Sequence, residues 1–231
     1  MITKNNTTQT TTAPEIKPAQ QGEGIANKYG AYYYTGYGIH HSAPQDLYTY
    51  TAYLGNHTIT VEKGDSVVGV RNGSAYWFSD PSGLQLESGE FACVIRGYQC
   101  GKKNVSLDQR VNLPYVNGCA TRQLFAPERI GDPTLQQLTI PPFTSEQVHH
   151  IHPTARVVYV LEGEGYSIVG QSDKAEETKL VKGMLCVLDP MTPHHFRTED
   201  SYLTVIPFHT FSSTPPALEQ NHPMFNGTRP V

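Results

Sequence analysis

Two stretches of this chain repeat one another. Val67-Val68-Gly69-Val70-Arg71-Asn72-Gly73-Ser74-Ala75-Tyr76 aligns with Val157-Val158-Tyr159-Val160-Leu161-Glu162-Gly163-Glu164-Gly165-Tyr166 at an offset of 90. Gly89-Glu90-Phe91-Ala92-Cys93-Val94 aligns with Gly183-Met184-Leu185-Cys186-Val187-Leu188 at an offset of 94. Self-similarity over so long a period reads as a duplicated structural unit, although two unrelated β hairpins would share a pattern of this kind. The four extra residues fall in the polar stretch 171–178, where a hairpin loop lengthens at small entropic cost. Two barrels of about 100 residues are therefore expected, a size that a domain core supports, joined near residues 113–132.

The local pattern inside each repeat is that of strands. Short runs such as Ser66–Val70, Ser74–Ser79 and Gly89–Ile95 are broken by Asn72-Gly73 and Asp80-Pro81-Ser82-Gly83, which are turn sequences. Tyr32–Tyr34 and Tyr48–Tyr53 open the β-like region, and no long stretch carries a 3.6-residue apolar period. With 20 Gly, 17 Pro, 14 Tyr and only 16% charged residues, an all-β chain with few, short helices is expected. Residues 1–24 hold too little apolar surface to offset the entropy of ordering and read as a disordered tail. Residues 25–125 then form a first β-domain and 126–231 a second.

Charge and motif content exclude several functions. The formal charge is −4 with no basic run, so nucleic acid and anionic membrane surfaces have nothing to grip. Nothing approaches 18 consecutive apolar residues, and the N-terminus lacks the apolar core of a signal peptide, so a cytoplasmic protein is expected. Cys93, Cys100, Cys119 and Cys186 are widely spaced and read as small apolar fillers in a reducing compartment. No G-x-G-x-x-G, P-loop or G-x-S-x-G segment is present.

The chemistry-bearing residues lie in the second half, at Val148-His149-His150-Ile151-His152-Pro153 and Pro193-His194-His195-Phe196. Successive residues of an extended chain face opposite ways, so His150 and His152 share a side while His149 and Ile151 take the other. With His194 from a neighbouring strand they would hold one metal ion and leave positions open for water or substrate. His149 and His195 are expected to face outward. His209, in the apparent last strand Tyr202–His209, is within reach of the pocket, although a capping or surface role is preferred for it. The Tyr/Gly-rich segment that His40 and His41 follow is a candidate cover for a barrel mouth.

These motifs resemble those of the cupin superfamily, G-x5-H-x-H-x3-4-E-x6-G and G-x5-P-x-G-x2-H-x3-N. His150, His152 and Gly163 meet the first; Gly183 and His194 meet the second. The resemblance is close over about residues 137–210 and weak over 58–100. It implies a double-stranded β-helix, or jelly roll, with the metal near the middle of the barrel and the first barrel degenerate. Thr144 stands in place of the opening glycine, and Thr198 in place of the final asparagine. Arg156 replaces the carboxylate ligand, and a guanidinium does not bind metal.

The residues thus point to a neutral three-histidine centre, with Arg156 on the same face either clamping an anionic substrate or pairing with Glu146 or Glu164. Carried back along the repeat, the counterparts of His150, His152, Arg156 and His194 are Thr60, Glu62, Ser66 and Cys100, which make no metal site. The function expected is a non-haem Fe(II) dioxygenase or oxidase acting with O2 on a small anionic or chelating metabolite. The alternatives are a Zn, Ni or Mn isomerase, cyclase or lyase, and a non-catalytic binding cupin. Copper also suits the ligands. A homodimer is expected from the resemblance.

Overall fold

A long strand with a corner in it organises the second half of the molecule. In the computed structural model, which describes residues 24–108, 113–171 and 173–212, strand Arg156–Val169 belongs to two sheets. Its first part pairs antiparallel with Met184–Leu188 on one side and Leu203–His209 on the other. Its second part pairs with Glu176–Val181 and His194–Arg197. The changeover coincides with a register shift between Val160 and Glu162, where a bulge bends the strand. Gly163 is required there: its φ is +76°, and a Cβ would lie 2.0 Å from the Tyr202 carbonyl oxygen. Among the described residues every regular element is a strand except one 3-10 turn at Val116–Gly118. The tail expected over residues 1–24 lies, apart from Gly24, outside the described residues.

The first half forms a six-stranded sheet, in spatial order Lys103–Ser106, Ser74–Phe78, Ser66–Arg71, Phe91–Ile95, Tyr50–Leu54 and Gly38–His41. A two-stranded sheet of Thr58–Val61 and Ser82–Gln85 faces it. Ile59, Val61, Val67, Leu84, Leu86, Ala92 and Val94 fill the space between them. The Tyr/Gly-rich segment expected as a cover supplies strand Ala31–Thr35, paired with Met184–Leu188. His40 lies in strand Gly38–His41, buried, with its Nδ1 2.9 Å from the Tyr34 hydroxyl.

Side-chain alternation divides the interior into layers. Val157, Tyr159, Leu185, Val187, Ile206 and Phe208 join Leu54, Val68, Trp77, Phe91 and Cys93 in one core between the two halves. Phe91 stacks on Tyr159 at 5.7 Å and 9°, and the Tyr159 hydroxyl donates to the Gly89 carbonyl at 2.6 Å. Val158, Val160, Cys186, Leu188, Leu203 and Val205 point the other way, into the second barrel. Cys93, Cys119 and Cys186 are buried free thiols and Cys100 is partly buried.

The chain does not keep its halves apart. Ala31–Thr35 pairs with Met184–Leu188, and Ala120–Phe125 pairs with Thr134–Ile140, so both ends of the first half belong to the sheet of the second. The crossing strand occupies an edge that would otherwise leave a row of backbone groups unpaired. No single cut of the chain separates the sheets.

Pairing also tests the repeat. The offset of 94 is in phase, since Phe91 and Cys93 face the shared core as Leu185 and Val187 do. The offset of 90 is not. Val68 pairs with Cys93 as Val157 pairs with Val187, an offset of 89, and one residue of slip turns every side chain to the opposite face. The counterpart of Arg156 is therefore Val67, a filler of the first barrel. Ser66 instead accepts a hydrogen bond from Trp77 Nε1 at 3.1 Å.

The common core predicts one cooperative unfolding transition, seen together by Trp77 fluorescence and far-UV circular dichroism. Phe91→Ala, at a fully buried position, is expected to destabilise the whole by about 3–5 kcal/mol. Two separated transitions, only one of them moved by the substitution, would contradict the shared core.

Candidate metal centre

His150 and His194 are brought face to face by the backbone. The His150 N–H donates to the His194 carbonyl at 3.0 Å and the His194 N–H to the His150 carbonyl at 2.9 Å. Two residues that exchange both bonds across an antiparallel pair put their side chains side by side. His152, two residues on, falls on the same side, and its carbonyl accepts from the Met191 N–H at 2.7 Å. Met191 holds a left-handed φ of +64°, costly for a side chain with a Cβ, in the turn that leads into His194. Thr144 and Thr198, which replace two motif residues, bond each other: the Thr144 N–H donates to Thr198 Oγ1 at 3.1 Å and the Thr198 N–H to the Thr144 carbonyl at 2.9 Å.

The three imidazoles converge, with one ring nitrogen from each lying within 4.8 Å of the others. Ring centroids are 4.7 Å apart for His150–His152, 4.6 Å for His150–His194 and 5.2 Å for His152–His194. His150 Nδ1 lies 2.9 Å from the Val148 carbonyl and His194 Nδ1 2.8 Å from the Thr192 carbonyl. A carbonyl only accepts, so each Nδ1 carries the proton and each Nε2 keeps its lone pair. Burial, with Arg156 nearby, pulls His152 down to about 3 and His194 to about 4, and His150 is lowered as well. All three are neutral at pH 7, the form a metal needs. His150 and His152 Nε2 are 3.1 Å apart, close enough to be bridged by one cation. The donor set fits a divalent metal.

His149 and His195 face away and contact each other through Nδ1 atoms 2.9 Å apart. His209 departs from the role expected of it. It lines the same cavity as the three imidazoles, its ring 6.5 Å from that of His152. Its position at an inward-facing register of strand Leu203–His209, two residues past Pro207, was the signal that could have placed it there.

The cavity measures about 420 Å³. Leu138, Val158, Val205 and Phe211 supply apolar wall, and Gln136 and Thr121 polar wall. Arg156 lies on its floor, 9% exposed. Neither expected carboxylate pairs with it. Its Nη1 donates to the Thr154 carbonyl at 3.2 Å, Thr154 Oγ1 at 2.7 Å and the Ala155 carbonyl at 3.1 Å, and its Nε has no partner. Glu164 is taken by Lys179 at 3.1 Å. Burial lowers the guanidinium pKa to about 10, which leaves it charged at neutral pH. Glu146 lines the cavity as well, 6% exposed, with Oε1 3.9 Å from His150 Nε2. Burial pushes its carboxyl up to about 7. Sequence reasoning considered Glu146 only as a partner of Arg156.

A family profile for the cupin domain matches residues 136–206. Those residues are a cupin domain. The solved structures with this fold include a Pseudomonas aeruginosa protein that bears the name glyoxylate-induced protein, at TM-score 0.57 and 10% identity over 88% of this chain and 96% of that one. A cupin 2 conserved barrel protein from Leptotrichia buccalis aligns at TM-score 0.48 and 15% identity over 84% and 92% of the two chains. Bacillus subtilis oxalate decarboxylase, a protein with Mn(II) centres, aligns at TM-score 0.45 and 12% identity over 84% and 76%. No curated protein sequence matches the chain. The Pseudomonas likeness extends the cupin fold across most of the molecule. Among the described residues no helix is long and apolar enough to cross a membrane.

Removing any one of the three imidazoles is expected to lower metal affinity by more than about 100-fold, beyond what loss of a supporting partner costs. His149→Ala is expected to keep it. Metal content after dialysis against a chelator checks this; full retention by His152→Ala would contradict the assignment.

Proposed function

We propose that this cupin is a metal-dependent enzyme that seats a small carboxylate-bearing metabolite between its three-histidine centre and Arg156, and that it is a non-haem Fe(II) oxygenase. The observation that supports the reading is the buried guanidinium. A charge taken out of water without a counter-ion is strongly destabilising, and among the described residues no carboxylate pairs with Arg156. An anionic substrate supplies the missing charge, and Nε and the second terminal nitrogen remain to bind a carboxylate in two-pronged fashion.

When bound, a divalent ion supplies open coordination positions and, if it is iron, the electrons that O2 chemistry needs. The chain does the rest. Arg156 fixes the carboxylate end of the substrate and thereby the atoms that face the imidazoles. Leu138, Val158, Val205 and Phe211 keep water from the reacting end, and Gln136 offers an amide to a polar substituent. The Nδ1–H bonds to Val148 and Thr192 hold two of the rings in their metal-facing orientation. The cavity volume of about 420 Å³ suits a metabolite-sized ligand.

A second reading is favoured by His209. An imidazole in the cavity but outside the ligand cluster can carry a proton, as isomerisation, cyclisation or lyase chemistry on Zn, Ni or Mn requires. Metal analysis of protein purified without added metal separates the two. Iron with substrate-dependent O2 uptake is the expected result; zinc without O2 uptake would reject the oxygenase.

Arg156→Ala is expected to raise KM by about 30-fold or more, equivalent to the roughly 2 kcal/mol or more lost when one partner of a buried charge pair is truncated. Metal content should stay at the wild-type level. A fall in metal content with KM unchanged would make Arg156 part of the scaffold instead.

A further inference from the structure

A second cavity opens in the first barrel, about 530 Å³ in volume and sharing no lining residue with the cavity of the metal centre. We propose that it is a further ligand site and that it takes a small aromatic carboxylate.

A difference between the two repeats creates it. In the second half the strand Arg156–Val169 runs past its bulge at Val160–Glu162 and pairs in the other sheet. At the same place in the first half the chain turns back at Asn72-Gly73, with φ of +49° and +69°, and Ser74 pairs with Arg71. Two successive left-handed residues make the tight hairpin turn that returns a strand to its own sheet. Ser74–Phe78 therefore belongs to the larger sheet. Among the described residues no ladder joins that sheet to Thr58–Val61 and Ser82–Gln85. The cavity occupies the open seam between Ser82–Gln85 and the outer strand Lys103–Ser106.

Its wall has an apolar side and a cationic side. Tyr76 and Phe78 project from one face of their strand by alternation, rings 5.9 Å apart and 30° from parallel, with Leu84 contributed by the other sheet. A flat apolar ligand packs well against such rings. Arg71, Lys102 and Lys103 line the cavity against one carboxylate, Asp80. Lys103 is paired with Glu128 at 3.3 Å, whereas the Lys102 side chain has no partner among the described residues. The Arg71 guanidinium makes no hydrogen bond among them either. Glu90 Oε2 lies 3.7 Å from its Nε, and the Glu90 oxygens accept instead from the N–H groups of Asn72 and Glu87. A guanidinium with its donors free is suited to a carboxylate. The hydroxyl of Tyr76, a residue 8% exposed, is a second donor without an acceptor. Buried polar groups in native proteins are satisfied, and the oxygens of an anionic ligand answer both.

Amide NMR of the isotope-labelled full chain, titrated with benzoate, resolves this cavity from the metal centre. Signals of Ser74, Tyr76, Phe78 and Asn104 are expected to move together along one saturation curve. Benzyl alcohol keeps the ring and lacks the charge. It is expected to bind about 10-fold more weakly than benzoate, and Arg71→Gln to weaken benzoate by about the same factor. Lys102→Gln, at an exposed position, should weaken it about 3-fold and serves if the arginine variant does not fold. Shifts confined to residues around the three histidines, or no shifts, would overturn the site. Wild-type benzoate affinity in Arg71→Gln, or in Lys102→Gln where it stands in, would overturn the carboxylate assignment, as would equal binding of benzyl alcohol.

Discussion

Two backbone hydrogen bonds between His150 and His194 set the geometry on which the candidate metal centre depends. They join a segment that is otherwise irregular to the end of a jelly-roll strand, and in doing so fix which way two imidazoles face. His152 follows by the two-residue period of extended chain. The Met191 N–H on the His152 carbonyl closes the other side of the turn, at the expense of a left-handed non-glycine residue. Once the backbone is pinned in this way the rings need little further support: carbonyls of Val148 and Thr192 hold two of them by Nδ1.

The barrel around the site concentrates unpaired charge. Arg156 sits on the same inward face as Val158, so it points into the lumen while Val157 packs between the halves. In an apolar lumen a guanidinium bonded only to neutral groups makes a standing demand for an anion. Three imidazoles kept neutral by burial offer their ring nitrogens to a cation. Together they define a site for an ion and an anionic ligand in contact. The first barrel has the contrasting interior: Val67 stands at the place of Arg156, among Ile59, Val61 and Leu84.

Much of this could be read from the chain. The short runs and turn sequences pointed to an all-β fold, and the resemblance of the motifs around His150, His152 and His194 to the cupin pattern named the residues that converge. The facing of His149 and His195 followed from alternation alone. What sequence could not give was long-range register. The repeat matched best at 90, but the sheets pair at 89, a difference invisible in Val-Val runs and decisive for which side chains point inward. Nor could it show that Ala31–Thr35 crosses to the second sheet, because an edge needing cover does not name its partner. Glu146 was considered only as a partner of Arg156, because its place beside His150 depends on tertiary pairing. His209 was weighed for the pocket and for a capping or surface role, because a strand's register against its neighbours cannot be read from the sequence alone.

The most direct measurement is a crystal structure of metal-loaded protein with anomalous diffraction collected at the absorption edge of the bound metal. A single anomalous peak is expected, about 2.0–2.2 Å from Nε2 of His150, His152 and His194. A peak elsewhere, or a His194 ring turned out of the cavity, would contradict the account.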